Sequence, residues 1–373
     1  MNTEFFRKGP FRLFQEGAFP SRLHEPRPAV VLGRWLGAAL VVCFVTGLIS
    51  HALQEWGGRL PSRPVDGYRV TQGLHVISGL AMIPLLGAKL WTVYPRLFEW
   101  PPIRSVLHAL ERLGIALLVA AMLLELFTGL LNTVQWYPWP FPFRETHYWL
   151  AWTAVGGLLL HLGAKAPTIA EHWRRGGPEV PGRRGFLAAV TASVGLVTVT
   201  TAGQTVPWLR HFDLFGARRP DLGPQGLPVN RTAEQAGTVE IPQDWRLTVN
   251  GTNRVRLTLA QLEAMPQHTA RLPIACVEGW SFSAEWTGVR LRDLLDLAGV
   301  PEDATVKITS LERRGYFRTS EMASSYARDP LTLLALRVNG EALAPDHGYP
   351  ARIIAPNRPG VLQTKWVNRL EAL

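Results

Sequence analysis

Cysteine is scarce in this chain: its 373 residues include two, Cys43 and Cys276. That excludes a disulfide scaffold, which needs several pairs. Charge is scarce too. Asp, Glu, Lys and Arg make up 18% of the sequence, against about 25% in ordinary soluble domains. Neither an internal repeat nor a low-complexity tract is present, and a disordered or collagen-like chain is excluded by composition. Basic residues outnumber acidic ones, 39 to 29, yet no zinc-ligand spacing and no basic-aromatic stripe accompanies them. Nucleic acid is therefore not the expected partner. What the chain does have is 14 tryptophans and a hydrophobic content of 47%. A mean hydropathy of +0.05 averages two unlike halves.

Five apolar runs fill the first half, at about residues 32–50, 74–94, 113–134, 148–164 and 186–206. Each approaches the ~20 residues that cross ~30 Å of hydrocarbon. One such run could be a buried soluble helix; five in succession predict a multi-pass membrane protein. The basic residues orient it. Arg7, Lys8, Arg12, Arg22, Arg27 and Arg34 mark the N-terminal tail, and Arg96, Arg104 and Arg112 mark the segment between spans two and three. Lys165, Arg174, Arg175, Arg183 and Arg184 mark the segment between spans four and five, whereas the loop between spans three and four holds only Arg144. Basic loops stay inside, so everything after about Gln204 is expected on the extracytoplasmic side. The loop between spans one and two is mixed, with Arg59, Arg63 and Arg69 beside Glu55 and Asp66. The run Arg183-Arg184-Gly185-Phe186-Leu187 opens the fifth span and resembles a twin-arginine export signal, here internal. A plain stop-transfer pair is its alternative. The predicted order is a four-helix transmembrane bundle at 30–166, then a cytoplasmic loop with the twin-arginine motif and a fifth, signal-anchor helix at 167–209. An exported α+β domain follows at 210–373.

Imidazole inside a bilayer is costly and usually functional. His75 and His147 stand at the outer starts of spans two and four. His161 lies on the same side of span four as His147, about 21 Å deeper at 1.5 Å per residue. Two axial imidazoles at matched depth would hold a b-type haem, and His75 with His147 meets that condition. An inner haem would pair His161 with the position one repeat beyond His75. That position is Lys89, so an inner haem needs another partner, such as His108, or is absent. A haem held by His75 and His161 is a further arrangement. His51 and His108 read as interfacial residues. Glu125 is either a proton carrier for a quinol or a partner of Lys89, an arginine or a haem-shielding group, and Cys43 reads as a small packing residue. The runs Thr71-Gln72-Gly73-Leu74-His75, His147-Tyr148-Trp149 and His161-Leu162-Gly163-Ala164-Lys165 resemble the small four-helix cytochromes b that anchor bacterial dehydrogenases and reductases.

The second half alternates like a sheet protein. Residues 245–250 and 255–257 predict strands around Asn250-Gly251, 258–265 a helix start, 291–299 a helix ending on glycine and 305–309 a strand. Residues 331–338 fit either strand or helix. Cys276 is alone in this half, so it is a free thiol or a ligand. It opens the run Cys276-Val277-Glu278-Gly279-Trp280-Ser281, followed by Trp286-Thr287-Gly288-Val289 and Leu291-Arg292-Asp293-Leu294-Leu295. A second run is His347-Gly348-Tyr349-Pro350-Ala351-Arg352, with Pro356, Gly360 and Gln363-Thr364-Lys365-Trp366 beyond it; a third spans 333–343. In this order, over about residues 238–370, they resemble the sulfite oxidase family, nearest its bacterial protein-methionine-sulfoxide reductase branch.

The resemblance implies a molybdopterin-dependent oxidoreductase. Cys276 would give molybdenum a thiolate beside the dithiolene of one molybdopterin. His347, Arg352, Gln363, Thr364 and Lys365 would hold the pterin phosphate, with Ser310, Asn230 and Arg231 as further cofactor contacts. Cys276, Glu278 and Tyr316 are the catalytic candidates. Sulfite oxidases place arginines just after the cysteine, where Glu278 and Trp280 stand here. An acidic, aromatic mouth suits a neutral sulfoxide or N-oxide, unless Arg313, Arg314 and Arg318 restore a positive pocket. The expected protein thus performs oxygen-atom transfer on a small or protein-bound oxo substrate. Its expected cofactors are Mo-molybdopterin and haem b, and its expected partners the lipid bilayer and a membrane quinone. The competing expectation is a membrane-anchored binding or sensory protein whose domain has lost the metal.

Overall fold

The computed structural model describes residues 21–56, 60–97, 103–174, 182–214, 216, 218, 223–315 and 317–373. Five long helices come first: α1 (Pro26–Glu55), α2 (Gly67–Leu97), α3 (Val106–Thr133), α4 (Phe143–Arg174) and α5 (Arg183–Ala202). Four segments are long and apolar enough to cross a membrane, namely Pro26–Glu55, Gly67–Arg96, Val106–Thr133 and Arg183–Ala202. Helix α4 contains the run read as span four but is not among them. It forms a helix of 32 residues, and Arg144, Glu145, His147, His161, Lys165, Glu171 and His172 dilute its apolar character.

The chain divides into two compact units, Met1–Phe44 with Val76–Thr201 and Val45–His75 with Ala202–Leu373. In the first, α3 and α4 pack along each other. Gly157 permits the close approach, since a Cβ there would lie 3.1 Å from the Leu118 backbone. Met82, Leu86, Ala121, Met122 and Ala154 form one apolar core, with Cys43 packed against it as a partly buried residue. Leu32, Leu85 and Val190 form a second. Helix α3 begins at Ser105, whose Oγ accepts from the His108 backbone N–H at 3.2 Å. The Arg104 N–H in turn donates to His108 Nδ1 at 3.2 Å, so His108 helps to cap a helix.

The second unit is built on two five-stranded sheets. Its strands are β1 (Arg246–Asn250), β2 (Arg254–Thr258), β3 (His268–Ala275), β4 (Ser281–Arg290), β5 (Val306–Ser310), β6 (Thr319–Met322), β7 (Leu333–Val338), β8 (Glu341–Ala342), β9 (Arg352–Ile354) and β10 (Val367–Ala372). One sheet runs β2-β1-β10-β5-β6; the other runs β3-β4-β7-β8, with β9 also on β7. Only the β1–β10 pairing is parallel. The ambiguous apolar run at 331–338 is strand β7, buried on both faces. Leu334 and Leu336 enter a core with Leu247, Ile308 and Leu370, while Leu333 and Ala335 enter a second core with Cys276, Trp280 and Trp286. A strand buried on both sides loses the alternation that would have named it. Two local signals hold: Thr258 and Gln261 form a capping box for Leu259–Ala264, and Gly299 (φ +66°) follows Leu291–Leu297. Where β4 shifts register against β7, a Cβ on Gly288 would meet the Leu334 carbonyl oxygen at 2.0 Å, so only glycine fits.

The end of α1, the connecting segment and the start of α2 belong to this second unit. Buried Asp329 accepts from Ser62 Oγ at 2.7 Å and from Arg63 Nε and Nη2 at 3.0 Å each. Asn357 accepts from the Tyr68 N–H at 2.7 Å and donates to the Pro61 carbonyl at 2.9 Å. Arg63 is half in water, which weakens the ion pair itself. The hydrogen bonds to a buried carboxylate dominate, so Asp329→Ala is expected to destabilise this unit by about 2–3 kcal/mol. Thermal unfolding of the full chain in detergent measures it, and Asp329→Asn, which keeps an acceptor, should lose less.

Candidate active site

Strand β3 delivers Cys276 into a tight loop. The Cys276 N–H donates to the Trp280 carbonyl at 2.9 Å, and the Gly279 N–H returns to the Cys276 carbonyl at 3.1 Å. Gly279 has φ +99°, a conformation that glycine tolerates and that closes the turn. The loop is braced from behind. Ser281 N–H donates to the Gln204 carbonyl at 2.8 Å, Thr205 Oγ1 to the Gly279 carbonyl at 3.0 Å, and Gln72 Nε2 to the Val277 carbonyl at 2.9 Å. Glu278 is buried. Its carboxylate accepts from Trp280 Nε1 at 2.8 Å and pairs with Arg218 Nε at 3.5 Å.

In front of the loop lies a pocket of about 320 Å³, its mouth included, lined by Pro228, Asn230, Ile274, Cys276, Trp280, His347, Arg352, Gly360 and Lys365. Five residues singled out from the sequence therefore converge: Asn230, Cys276, His347, Arg352 and Lys365. Lys365 Nζ donates to the carbonyls of Arg231 and Asp346 at 2.9 and 2.8 Å. Arg352 donates to the carbonyls of His347 and Gln363 at 3.1 and 3.3 Å, and its buried Nε has no hydrogen-bond partner. His347 Nε2 bonds the Pro224 carbonyl at 2.7 Å. Among the described residues, no carboxylate forms an ion pair with Arg352 or Lys365.

The other candidates stand behind this wall. Ser310 Oγ donates to the Lys365 carbonyl at 2.7 Å. Gln363 accepts from the Ala355 N–H at 3.3 Å and donates to the Arg358 carbonyl at 3.1 Å. Thr364 Oγ1 shares a 2.7 Å bond with Ser320 Oγ. Arg231 pairs through Nε with Glu312 at 3.0 Å and bonds the Arg314 carbonyl. Tyr316 lies outside the described residues. Sequence reasoning missed Arg358, which is fully buried and donates to the carbonyls of Leu362 and Glu321 at 3.0 and 2.8 Å. Its loop context gave no sign of burial.

Burial governs the site's titration. It pushes Lys365 down to about 7, with the Arg352 charge adding to the effect. It pushes Arg352 down to about 9 and His347 down to about 4. Burial, then the Glu278 charge, drives Cys276 upward, so its thiol stays protonated unless a metal binds it. A buried arginine and a half-buried lysine with no ion-pair partner among the described residues, facing one lone sulfur, fit an anionic cofactor with a soft metal. A molybdopterin phosphate and its molybdenum satisfy both demands.

Residues 235–373 match the family model of the oxidoreductase molybdopterin binding domain. These residues thus form an oxidoreductase molybdopterin binding domain that is similar to sulfite oxidase-family proteins. Similar proteins include the mitochondrial sulfite oxidase of Drosophila melanogaster, 30% identical over 35% of this chain and 27% of that protein. The uncharacterized oxidoreductase YuiH of Bacillus subtilis is 32% identical over 34% of this chain and 64% of its own length. The protein-methionine-sulfoxide reductase catalytic subunit MsrP of Campylobacter jejuni is 28% identical over 35% and 49%. Each similarity spans less than two thirds of the relative's length.

The membrane-half histidines are placed separately. His147 Nε2 pairs with Glu125 Oε2 at 3.0 Å, and its Nδ1 lies 3.3 Å from Thr128 Oγ1. The intramembrane carboxylate thus pairs with a histidine, a partner the sequence reading had not considered. Iron ligation through His147 Nε2 would require Glu125 to give way. His161 has a buried Nδ1 without a hydrogen-bond partner. His75 packs onto bare helix, since a Cβ on Gly47 would lie 2.8 Å from its Cε1. Lys89 Nζ donates to the Ala29 carbonyl at 2.5 Å. Among the described residues, no group of three or more His, Cys, Asp and Glu side chains could hold a metal ion. A single cysteine ligand or a pair of imidazoles would need no such group.

Anion binding supplies a test with a fixed sign. A bound anion favours charged Lys365, so affinity is high below about pH 7 and falls as the amine loses its proton. Cofactor-free protein should bind sulfate about tenfold more weakly at about pH 8.5 than at about pH 6, the value of one lost charged hydrogen bond. Thermal-shift titration reads this, and Lys365→Met should flatten the dependence.

Proposed function

We propose that the chain is a membrane-bound molybdopterin oxidoreductase that transfers an oxygen atom at the extracytoplasmic face and exchanges electrons with the quinone pool through haem b. One observation carries the catalytic part: buried Arg352 and half-buried Lys365, which form no ion pair with a carboxylate among the described residues, converge with Cys276 on one pocket. Bound there, molybdopterin would supply two-electron oxygen-atom chemistry at its metal. The chain's own residues do the rest. Cys276 would offer the metal its thiolate, while Arg352, Lys365, His347 and Asn230 would hold the anionic end. Gln363, Thr364 and Ser310 fix the backbone that carries those donors. Glu278 offsets the charge of Arg218, so the loop adds no net positive charge beside Cys276. This supports a neutral sulfoxide or N-oxide over sulfite, as does the similarity to a methionine-sulfoxide reductase catalytic subunit. Sulfite-type oxidation is the same chemistry reversed.

Parity supports the five-span reading. The segment between α1 and α2 shares a compact unit with the molybdopterin domain, which supports placing both on one side of the membrane. An even number of crossings must separate them. Helices α2, α3 and α5 supply three, and α4 supplies the fourth despite its polar residues. Its close packing along α3 is consistent with that crossing. The twin-arginine run before α5 would then direct the last crossing, and His75 and His147 near the outer face would bind haem b.

Two measurements test the reading. Cys276→Ser is expected to fold and to lose all turnover of dimethyl sulfoxide with reduced viologen, and of sulfite with ferricyanide. Molybdenum analysis of the wild type must accompany it, since metal-free protein would favour a binding module. His75→Ala is expected to abolish the reduced haem band; an unaltered band removes His75 from ligation.

A further inference from the structure

We propose that the segment 61–68 is a working part of the anion site, and that its contacts through Asn357 and Tyr68 hold the two walls of the pocket in register; this rests on reading that pocket as the molybdopterin site. All the residues concerned belong to one compact unit, Val45–His75 with Ala202–Leu373. Behind one wall stands Asn357, buried and at φ +52°. Three bonds tie it to the segment. Its N–H donates to the Val65 carbonyl at 2.9 Å, its Oδ1 accepts from the Tyr68 N–H at 2.7 Å, and its Nδ2 donates to the Pro61 carbonyl at 2.9 Å. Gly67 leaves room for this embrace, since a Cβ there would stand 2.6 Å from Asn357 Oδ1.

From Asn357 a continuous path runs to the pocket. Arg358, the next residue, is fixed by the carbonyls of Leu362 and Glu321, and its own carbonyl accepts from Gln363 Nε2 at 3.1 Å. The Gln363 carbonyl accepts in turn from Arg352 Nη2 at 3.3 Å. Gly360, in the same turn, lines the pocket and abuts the other wall, because a Cβ there would lie 2.8 Å from the Ala275 carbonyl oxygen. Tyr68 reaches that other wall as well. Its buried side chain shares an apolar cluster with Leu53 and Ala275, the residue before Cys276. Val65 packs against the core that contains Cys276 and Trp280. One short segment thus grips both the turn behind Arg352 and the strand end that delivers Cys276. Asp329 anchors the same segment differently. Its carboxylate accepts from Ser62, Arg63 and the Leu331 N–H, none of which lines the pocket. Asn357 and Tyr68 are therefore positioning residues, and Asp329 is an anchor.

Three variants of the full chain in detergent, prepared free of cofactor, separate this role from general stability. Calorimetric titration with sulfate at about pH 6, where Lys365 carries its charge, reads the affinity of the site. Thermal unfolding without sulfate reads stability. Gly67→Ala wedges a methyl group against Asn357, and alanine is no poorer a helix former than glycine. It is expected to weaken sulfate binding about fivefold with little change in Tm. Asn357→Gly keeps the left-handed backbone and removes both side-chain bonds. It is expected to weaken binding at least as much and to lower Tm. Asp329→Asn loosens the anchor, and is expected to lower Tm while leaving the affinity at the wild-type value. Wild-type affinity in either Gly67→Ala or Asn357→Gly overturns the proposal. Equal weakening in Asp329→Asn also overturns it, because the segment then acts through stability alone. A wild type that binds no sulfate overturns the pocket reading and the proposal with it, an outcome distinct from the others.

Discussion

Two basic side chains at the pocket, Arg352 and Lys365, form no ion pair with a carboxylate among the described residues. Arg352 is fully buried and satisfied only by backbone carbonyls, and Lys365 beside it is likewise bonded to carbonyls alone. Such an arrangement is unfavourable in isolation. The surrounding chain is organised to tolerate it. Ser310 bonds the carbonyl of Lys365, the Gln363 carbonyl accepts from Arg352, and the Trp286 ring lies 4.9 Å from the Arg352 guanidinium. Strand β9 is anchored to β7, which is buried on both faces and cannot shift without exposing one core or the other. The site is therefore a preformed cradle with an unmet electrostatic demand, which an anionic cofactor satisfies.

The cysteine loop obeys a different constraint. Its own hydrogen bonds close the turn, but its outer edge is finished by residues from distant parts of the chain, Gln72 on one side and Gln204 and Thr205 on the other. Gln72 lies near the start of one candidate membrane span, Gly67–Arg96, and Gln204 and Thr205 lie just beyond another, Arg183–Ala202. The position of Cys276 thus depends on helix ends as much as on the sheet that delivers it.

Legibility in the sequence followed locality. Capping at Thr258, the glycine after the helix at 291–297, and the apolar lengths of α1, α2, α3 and α5 are local signals, and the structure carries them. Strand β7 was ambiguous because both its faces are buried. The pocket residues Cys276, His347, Arg352 and Lys365 were found through motif resemblance. The braces Ser310, Gln363 and Thr364 also come from the resemblance, as cofactor contacts, but their position behind the wall is a tertiary fact. Arg358 left no trace, since a lone arginine in a Pro-Gly loop reads as surface. The partnership of Glu125 with His147 joins two helices and could not be read from either. The attachment of residues 60–72 to the molybdopterin domain was hidden most completely. By sequence that segment is only a loop of mixed charge between two spans.

That attachment sets an order of assembly. Ser62 and Asp329 are 267 residues apart in the chain, and Tyr68 and Asn357 are 289 apart. The earlier partner leaves the ribosome first and waits, its donors still in water, until the residues about 270–290 positions later have been made. Contacts of such separation close late, because the loop between them must first lose its freedom. The domain therefore reaches its final form in a docking event onto a surface already standing at the membrane. Maturation is complete only when residues 62–68 meet the segment around 329–357.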